Sequence, residues 1–550
     1  MPENEDRKSE VDVPVLVVGA GPVGLGLTIE LALRNIAVRL IELRDGSVSL
    51  PKMSQVHARS LEICRRWGIA DRVIEAGFPK EFPQDFIYVT TMIGHELFRV
   101  PKPSFLQEPT QQGSPVRDHQ CPQLFFDPIL RDFAATLPKA QPSYFTRLDS
   151  FVQHKDHVLA AITDMRTGKQ SSVSCRYLVG CDGARSVVRD QLGIRMRGVG
   201  RLDVSVSIFF RSAELAQLHD KGWARFYRFN DEGGCWSEMV AVNGKDLWRL
   251  TILSGLDPDA PFDADSCLRR AVGQVFPYDI ISIVHWDRTE FVAERFRNRR
   301  VFIAGDAAHQ NSPTGGLGMN TGFADACDLG WKLAAVLDGW GGEGLLHSFD
   351  AERWPVAIRN AAECSRLFRD TASQPLNVHL SEPGAEGDRI RRGYSEALKK
   401  NMAGSSITEQ VKLGVCYEGS PVIWPDGTPP LPVTGPYLPS TRPGTRAPHA
   451  ALADGRSTLD LFGDGFTLLR LGNGPPATEA LVDAAARRTV PLRVVTLGDP
   501  EIATLYERKL VLVRPDGHVA WRDDNLPADP LAVIDRIRGA LMPITADNAA

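Results

Sequence analysis

Three glycines and one acidic residue near the start of the chain have a spacing that suits nucleotide binding. Gly19, Gly21 and Gly24 fit the pattern G-x-G-x-x-G in "VPVLVVGAGPVGLG", and Pro22 lies inside it. The first glycine permits a tight turn, the second lets a pyrophosphate approach the backbone, and the third lets a helix pack closely on a strand. Glu42 follows Gly24 by 18 positions, where a carboxylate is expected to bind the ribose hydroxyls of an adenosine.

These residues need a strand before the glycines, a helix after them and a second strand that ends at the acid. Val13 to Val18 is a short β-branched run, "LGLTIELALRNI" has helical length, and "VRLIE" is a second β-branched run. The uncharged stretch 13–29 is near the lower length limit of a membrane span, but its clustered glycines and its proline favour a buried βαβ unit. We therefore predict dinucleotide binding, with a glycine-rich turn and a surface glutamate as the alternative.

A second polar cluster follows a short apolar run in "RYLVGCDGARSVVR". Gly183 permits a turn with positive φ, and Asp182, Arg185 and Arg189 would gather where the chain turns. A structural turn with an aspartate cap is the alternative interpretation of this motif.

A third cluster, in "VFIAGDAAHQNSPTGGLGMNTGF", combines an acidic strand end with a glycine-rich helix start. Asp306 follows a predicted strand, at the carboxyl end where ligands bind in such sheets. A helix is predicted to begin near Met319 and Asn320 and to run to Leu337. Its free N–H groups would point into the same cleft as the glycine turn. A glycine-rich packing loop is the alternative, but it does not explain why the acid and the helix start share one cleft.

Composition excludes several functions for this chain of 550 residues. The net charge is only −5 and no long basic run is present, so binding to nucleic acid or to an anionic membrane is not expected. Nine scattered cysteines form no C-x-x-C pair and no metal-ligand spacing with histidine, which indicates free thiols, no metal site and a cytoplasmic location. Residues 1–12 are expected to form a polar, disordered tail rather than a secretion signal.

The pattern of predicted elements divides the rest of the chain into three domains. A nucleotide-binding α/β domain is predicted for residues 13–85, 115–200 and 292–400. A mainly antiparallel sheet domain, which interrupts it twice, is predicted for residues 86–114 and 201–291. The Pro- and Gly-rich composition predicts a linker over 401–435 and a separately packed α/β domain over 436–550. That last domain contains no cysteine, so no thiol redox role is expected.

Taken together, the three motifs resemble the signatures of single-component, FAD-dependent aromatic hydroxylases, the group typified by 4-hydroxybenzoate hydroxylase and phenol hydroxylase. The segment "CPQLFFDPILR" resembles the one whose glutamine, here Gln123, lies near the flavin ring. "TRPGTRAPH" and "LVLVRPDGHVAWR" resemble the thioredoxin-like tail of longer members such as polyketide hydroxylases. The resemblance implies an α/β fold in which a Rossmann-like FAD-binding domain is interrupted by an antiparallel substrate domain and followed by a thioredoxin-like domain.

The resemblance also implies roles for individual residues. Asp306 would bind the ribityl chain, and the backbone at Gly318, Met319 and Asn320 would lie at the pyrimidine end of the isoalloxazine. Asp182 would face both FAD and the passing nicotinamide nucleotide, and Pro313 would lie beside the site of flavin oxygenation, which makes both candidate catalytic residues. The residues implied to contact FAD are Gly19, Gly21, Pro22, Gly24, Glu42, Arg59, Gln123, Asp182, Gly183, Asp306, Pro313, Gly318, Met319 and Asn320.

The function implied is that of an FAD-dependent monooxygenase that hydroxylates a phenolic or polyketide-like aromatic with NAD(P)H and O2 through a C4a-hydroperoxyflavin. FAD would be bound tightly and non-covalently, and NADPH or NADH only transiently, because the chain has one dinucleotide fingerprint. Baeyer–Villiger oxygenation and inactivation of an aromatic antibiotic are alternatives on the same fold. A non-catalytic, aromatic-binding flavoprotein is the alternative of a different class, and a homodimer is an open arrangement.

The base that deprotonates the substrate is left open by the sequence. Ser54 stands where several relatives carry His or Asp, and a serine is a poor base at neutral pH. His57 and Tyr227 are candidate catalytic residues in its place, and His285 is a further alternative, although a lone His or Tyr is more often structural.

The sheet domain is expected to cover the flavin with apolar side chains, because water must be excluded from the reaction. Strand alternation implies that about half of the available side chains point elsewhere. The candidates are Phe209, Trp223, Phe226, Tyr227, Trp236, Met239 and Trp248.

Overall fold

The computed structural model of the chain describes residues 10–48, 50–253, 261–372, 379–402 and 406–540. Most of the predicted disordered tail, residues 1–9, lies outside the described residues, as does the end of the predicted third domain, residues 541–550.

The secondary structure alternates helices and strands at both ends of the chain and is strand-rich in between. The strands are β1 (Val13–Val18), β2 (Val38–Ile41), β3 (Gln55–Val56), β4 (Phe86–Val89), β5 (Glu96–Val100), β6 (His119–Gln120), β7 (Ala140–Ser143), β8 (Thr146–Gln153), β9 (Val158–Asp164), β10 (Gln170–Gly180), β11 (Met196–Arg211), β12 (Phe226–Asp231), β13 (Gly234–Ala241), β14 (Leu247–Ile252), β15 (Asp279–Ala293), β16 (Arg297–Asn298), β17 (Val301–Ile303), β18 (His309–Gln310), β19 (Phe466–Leu471), β20 (Leu492–Leu497), β21 (Leu510–Val513) and β22 (Val519–Asp523). The α-helices are α1 (Pro22–Leu33), α2 (Ala58–Arg66), α3 (Ala70–Glu75), α4 (Gln123–Thr136), α5 (Val187–Gln191), α6 (Ala264–Val272), α7 (Leu317–Leu337), α8 (Glu343–Ala372), α9 (Gly384–Met402), α10 (Glu409–Leu413), α11 (Glu479–Arg487), α12 (Pro500–Tyr506) and α13 (Pro530–Ile537). Short 3₁₀ helices occupy Leu215–Gln217, Gly305–Ala307 and Thr458–Leu461.

The first sheet has the order β16-β17-β10-β1-β2-β7 and is parallel at its centre. β1 pairs in parallel with β2 and β10, and β10 pairs in parallel with β17. These strands are apolar and buried along their length, as expected for strands covered on both sides. Because parallel strands end at the same edge, the segments after β1, β2, β10 and β17 meet there.

The second sheet has the order β18-β15-β11-β14-β13-β12-β4-β5 and is antiparallel apart from the parallel pair β4–β12. Register partners on antiparallel strands share a face. Ile208 and Leu250 are partners whose face carries an apolar core. Phe209 and Arg249 are partners on the opposite face, which turns toward the first domain because Phe209 packs with Leu50.

The third sheet, β20-β19-β21-β22, pairs β19 with β20 in parallel and with β21 antiparallel. Helices α11, α12 and α13 accompany it. The structure therefore confirms the predicted fold class: an α/β unit with a parallel central sheet, a mainly antiparallel sheet and a small C-terminal α/β unit.

The C-terminal unit, predicted as a separately packed domain, lies against the first domain in the structure. Its core is continuous with α7, because Trp331 and the nearby Trp340 pack against Phe466. Part of the stretch predicted as a linker is packed, since Tyr417 and Ile423 contact α8 in a small apolar cluster. Proline and glycine indicated irregular backbone correctly, but irregular backbone can still be buried when its polar groups find partners.

Two global expectations from composition can be compared with the structure. All nine cysteines are free, and the described residues contain no cluster of side chains suited to a metal ion. None of the helices within the described residues is sufficiently long and apolar to cross a bilayer. The uncharged stretch 13–29 contains β1 and the first part of α1.

Candidate active site

The glycine turn after β1 has the geometry that the sequence predicts. Gly19 adopts φ +102°, and a Cβ at Gly19 would overlap the carbonyl of Cys181. A Cβ at Gly24 would overlap the carbonyl of Gly19, so both positions need glycine for close packing. A Cβ at Gly21 would meet no atom within 4 Å, which leaves open space beside the backbone. This open space lies at the start of α1, whose first residue is Pro22, and it fits a pyrophosphate on a helix N-terminus.

Glu42 lies at the rim of the same turn. Its Oε2 accepts a hydrogen bond from the Ala20 N–H at 2.8 Å, and its Oε1 accepts one from the Arg44 N–H at 3.0 Å. The carboxylate is therefore oriented before any ligand binds, as the binding of a ribose requires.

Asp306 is presented at the same sheet edge by the turn after β17. Gly305 adopts φ +62°, and its N–H donates to Oδ2 of Asp325 at 3.2 Å. Asp325 is fully buried and is held by Arg353 at 2.7 Å and by His309 at 2.7 Å. The exposed carboxylate of Asp306 therefore lies on a turn that is held by the buried ion pair of Asp325 and Arg353. The sequence did not predict this ion pair.

Asp182 also follows a strand at this edge, but its side chain is already engaged. Its Oδ1 accepts a hydrogen bond from Ser186 Oγ at 2.5 Å, and its Oδ2 accepts one from the Val188 N–H at 3.1 Å. Burial raises the pKa of this carboxyl. The carboxylate therefore caps the turn before α5, in agreement with the alternative interpretation of this motif as a structural turn with an aspartate cap. Gly183, with φ +78° and open space beside it, is free to approach a ligand.

Helix α7 begins at Leu317, two residues earlier than predicted. A Cβ at Gly318 would meet no atom within 4 Å, so the first turn is open to the cleft. Asn320 holds this turn in place, because its Oδ1 accepts from the His57 N–H at 2.8 Å and from Ser60 Oγ at 2.7 Å. The unpaired N–H groups of the first turn, which includes Met319, stay aimed at the cleft.

His57 lies buried beside the start of α7. A Cβ at Gly316 would lie 3.5 Å from its Nε2, which has no hydrogen-bond partner. Burial lowers the pKa of His57 to about 4, against the opposing effect of the Asp118 charge. The imidazole is therefore neutral near pH 7 and is a weak base.

Pro313 is exposed on the loop before α7, and its neighbour anchors that loop. Ser312 is buried, and its Oγ accepts a hydrogen bond from Arg288 Nη1 at 2.9 Å. The same nitrogen donates to Thr314 at 3.1 Å. A proline in place of Ser312 has no hydroxyl and could not accept this hydrogen bond. The serine therefore ties the loop to the sheet domain.

Gln123 and Arg59 are placed differently from each other. Gln123 begins α4, and its N–H donates to the Met53 carbonyl at 2.9 Å, so it lies against the segment that leads into the cleft. Arg59 donates to Glu62 at 3.1 Å and to the Asp516 carbonyl at 2.6 Å. Its position on α2 turns it toward the C-terminal unit, so the structure does not bring Arg59 to the glycine turn.

Tyr227 is wrong as a candidate base. It is buried on the far face of the second sheet, where its hydroxyl donates to the Gly222 carbonyl and accepts from the Ala224 N–H. Trp223, Trp236, Met239 and Trp248 pack on that same far side. His285 is opposite Val206 in the register and is exposed, so it also points away. Strand alternation leaves Phe209 and Phe226 on the cleft side.

The cleft side of the second sheet carries four arginines, which we call the arginine cluster: Arg225, Arg228, Arg249 and Arg288. Arg288 is buried and the other three are partly buried. In each of them the Nε has no hydrogen-bond partner. Burial lowers the pKa of Arg225 to about 10 and also lowers the pKa of Arg249 and Arg288. Glu238 lies among them, 3.6 Å from Arg228.

The arginine cluster also contacts the edge of the first domain. Arg249 donates to the Pro51 carbonyl at 2.5 Å, and Arg225 donates to Gln55. Arg288 holds the loop at Ser312, as described above. The cluster thus lies between the sheet and the segments that lead to the glycine turn and to α7. Arginines in alternation with aromatic residues in "RFYRF" and "LWRLTIL" were a signal for it that the sequence interpretation did not use.

Two family models match the chain. The model of an FAD-binding domain matches residues 12–363, and the model of the C-terminal region of aromatic-ring hydroxylases matches residues 440–541. Tetracenomycin B2 monooxygenase-dioxygenase of Streptomyces olivaceus is 33% identical over 97% of this chain and 99% of its own length.

Solved structures are similar over the whole chain. RebC soaked with chromopyrrolic acid, with bound 7-carboxy-K252c, is 41% identical at a TM-score of 0.90, and the match covers 97% of this chain and 100% of that one. Aklavinone-11 hydroxylase in a ternary complex with FAD and aklavinone is 30% identical at a TM-score of 0.82, covering 96% and 99%.

Proposed function

The chain belongs to the FAD-dependent aromatic-ring hydroxylases, and we propose that it hydroxylates an extended aromatic substrate that carries a carboxylate. The family establishes an FAD-dependent monooxygenase, for which NAD(P)H is the typical electron donor. The finer statement, that the substrate is anionic, is supported by the arginine cluster on the cleft side of the second sheet.

The residues at the sheet edge fit FAD. The open backbone at Gly21 suits the pyrophosphate, Glu42 is oriented for the adenosine ribose, and Asp306 is placed for the ribityl chain. The first turn of α7 would face the isoalloxazine ring. When bound, FAD supplies the redox chemistry that takes electrons from NAD(P)H and activates O2.

The protein then contributes placement and electrostatics. The N–H groups at Gly318 and Met319 would stabilise negative charge on a bound flavin, because a helix start carries about half a positive charge. Phe209 and Phe226 cover the cleft and exclude water, which protects a reactive intermediate. Ser312 holds the loop with Pro313 against the sheet domain.

The observation that carries the substrate class is the uncompensated charge of the arginine cluster. The only ion pair that the four guanidinium groups form among the described residues is the one between Arg228 and Glu238. Asp118 and Asp203 act on Arg225 and Arg288 from further away. A buried charge without a partner is costly, and this cost is removed when an opposite charge is supplied. Arginine also matches the two oxygens of a carboxylate with its planar fork. A substrate carboxylate would therefore bind at the sheet side while its ring system extends toward the flavin.

The comparisons support the same substrate class. RebC, 41% identical, is described with chromopyrrolic acid and 7-carboxy-K252c, whose names both specify a carboxylic acid. The tetracenomycin and aklavinone enzymes, at 33% and 30% identity, name polyketide substrates. A polyketide-like aromatic without a carboxylate is thus the second candidate, and it leaves the arginine cluster unexplained.

The test compares an aromatic acid with its own methyl ester. Purified enzyme with bound FAD is assayed for NAD(P)H oxidation and for product mass, with indole- and carbazole-type carboxylic acids and their esters. We expect the acid to be hydroxylated, with a mass gain of one oxygen, and the ester to have a KM raised roughly tenfold or more. Equal use of acid and ester would overturn the anionic substrate class.

Two matched variants test whether the arginine cluster binds the substrate carboxylate. Arg249→Met should raise KM for the acid and leave the ester unaffected, because only the acid pairs with the guanidinium. Arg201→Met is the control, since Arg201 is exposed on β11. If both variants behave alike, the arginine cluster is not the binding site.

A further inference from the structure

Gln123 is held from both sides at the cleft edge of the first domain. Its Oε1 accepts a hydrogen bond from the Lys52 N–H at 3.2 Å, and its Nε2 donates to Asp127 Oδ2 at 2.9 Å. A backbone N–H can only donate and a carboxylate can only accept. The two partners therefore permit one orientation of the amide.

Among the described residues, none forms an ion pair with Asp127, although this carboxyl lies inside the protein. It lies one helical turn after Gln123 on α4, is 5% exposed, and its Oδ1 has no hydrogen-bond partner. A buried carboxylate with a free oxygen is costly, so a purely structural role is poorly served by an aspartate. An asparagine would satisfy the same helix position at lower cost.

The segment held by Gln123 leads into the site. Residues 50–54 make two hydrogen bonds with Gln123: the Lys52 N–H donates to its side-chain Oε1, and the Met53 carbonyl accepts from its backbone N–H. The same segment accepts hydrogen bonds from Arg249 at the Pro51 and Lys52 carbonyls. Gln123 thus connects α4 to a segment that touches the arginine cluster.

We propose that Asp127 is a positioning residue of the flavin site, which fixes the Gln123 amide and through it holds the segment 50–54 against the cleft. The inference rests on the proposed function, because it takes this edge as part of the flavin site. An ionised Asp127 makes a charge-assisted hydrogen bond to Gln123, which is about twice as strong as the neutral bond. Protonation weakens this bond and loosens the segment.

Few other charges act on Asp127. Burial raises its pKa to about 7, and Arg131 on the same helix acts in the opposite direction. The Cys121 thiol lies nearby, and its own pKa is raised by burial and by the Asp127 charge. Helices α1, α3 and α7, strand β7 and the cleft face of the second sheet pack against α4.

The ion pairs made by charged groups on α1 and α3 are with residues other than Asp127, and on α3 Glu75 pairs with Lys80. On α1, Glu30 pairs with Arg34 and Arg66. On α3, Arg72 lies 3.9 Å from Asp132, and β7 carries no charged residue. Asp127 therefore forms no ion pair among the described residues, and the Arg131 charge is what opposes the effect of burial on its pKa.

The experiment measures the bound flavin as a function of pH. The absorption spectrum and the FAD dissociation constant of the full-length protein are recorded between pH 5.5 and 8.5. For the wild type we expect a spectral change with a midpoint near pH 7 and tighter FAD binding on the alkaline side. Asp127→Asn should abolish this titration while the protein still binds FAD, and Asp132→Asn, exposed on the same helix, should keep it.

A double-mutant cycle separates positioning from a general structural role. Gln123→Leu should weaken FAD binding roughly tenfold at pH 8, and Asp127→Asn should add nothing further in that background. Additive losses would mean that Asp127 does not act through Gln123. Two results would overturn the inference. One is a wild-type protein that binds FAD but whose spectrum does not change with pH, and the other is an unchanged titration in Asp127→Asn. Loss of FAD binding by the wild type would instead contradict the proposed function.

Discussion

At the scale of single residues, the site depends on glycines, which have no side chain, as much as on the polar side chains around them. Gly19 and Gly24 are glycines because a Cβ would overlap backbone that packs on them. Gly21 is different, because nothing in the protein occupies the space beside it. The open space is a ligand position, so its effect on binding can be separated from its effect on folding.

Gly21→Val should abolish FAD binding while the protein still folds. The valine side chain would fill the space that the pyrophosphate needs. Flavin absorbance of the purified protein and titration with added FAD measure this. Gly498→Val is the control, since Gly498 is exposed in the C-terminal unit and also has no neighbour within 4 Å. Yellow Gly21→Val protein would show that the pyrophosphate lies elsewhere.

Asp127 gives a pH dependence of stability with a defined sign. Its pKa is about 7 when folded and 3.8 for the free group, so the folded state binds more protons between these values. Stability should then fall as pH rises from about 4 to 7. Asp127→Asn removes this cost. At pH 8 it should raise the free energy of unfolding by roughly 2–4 kcal/mol and the melting temperature with it, whereas at pH 4.5 both should change little. An equal shift at both pH values would contradict the assignment.

At the scale of elements, α7 is the helix that connects the site to the rest of the protein. Its first turn is open to the cleft, while Asn320 fixes that turn to the start of α2. Further along, Asp325 supports the turn that carries Asp306, through the Gly305 N–H. One helix therefore positions two of the groups that we assign to FAD.

Met319→Pro should lower the flavin midpoint potential. It removes one N–H from the first turn of α7, a position where proline is tolerated. Less positive charge near the ring favours the oxidised form, by on the order of 10–20 mV for a two-electron couple. A redox titration measures it, with Glu479→Pro in the first turn of α11 as the control. An unchanged potential, with FAD bound, would mean that α7 does not face the ring.

At the scale of the whole molecule, the C-terminal unit is part of the flavoprotein core. Arg514 on that unit is fully buried and pairs with Asp328 at 2.9 Å and with Glu352 at 2.6 Å, both in the first domain. Arg446 pairs in the same way with Glu62 of α2. These pairs and the apolar contacts around Trp331 make one continuous interior.

Arg514→Met should destabilise the whole protein and release FAD on heating. Buried Asp328 and Glu352 would lose a shared counterion, which costs about 3–5 kcal/mol when one partner is removed. Thermal melting monitored by both flavin fluorescence and circular dichroism should show a single, earlier transition. Arg508→Met is the control, because its pair with Asp524 is exposed and is worth at most about 1 kcal/mol.

Two separate transitions in the Arg514→Met protein, with flavin release unchanged, would restore the separate domain that the sequence predicted. Limited proteolysis gives a second measurement. The stretch 440–446 should resist cleavage in the wild type, because all but one of its residues are buried, and it should become sensitive in the variant.

The sequence by itself determined the βαβ unit, the glycine turn, Glu42 and Asp306. These features are local: a strand, a turn and a helix follow each other directly, and parallel strands bring their ends to one edge. It also indicated the antiparallel sheet and the C-terminal α/β unit, since alternation and β-branched runs report on strands directly.

Only the tertiary structure decided which side of the second sheet faces the cleft. Alternation defines two faces but does not say which one is covered by the apolar core, so Tyr227 was assigned to the site and the arginine cluster was missed. The buried pairs were also invisible, because Glu62 and Arg446 are separated by 384 positions and charged residues are usually exposed. Packing of the C-terminal unit on α7 buries these charges together, and it is this packing that turns a predicted separate domain into part of the flavoprotein core.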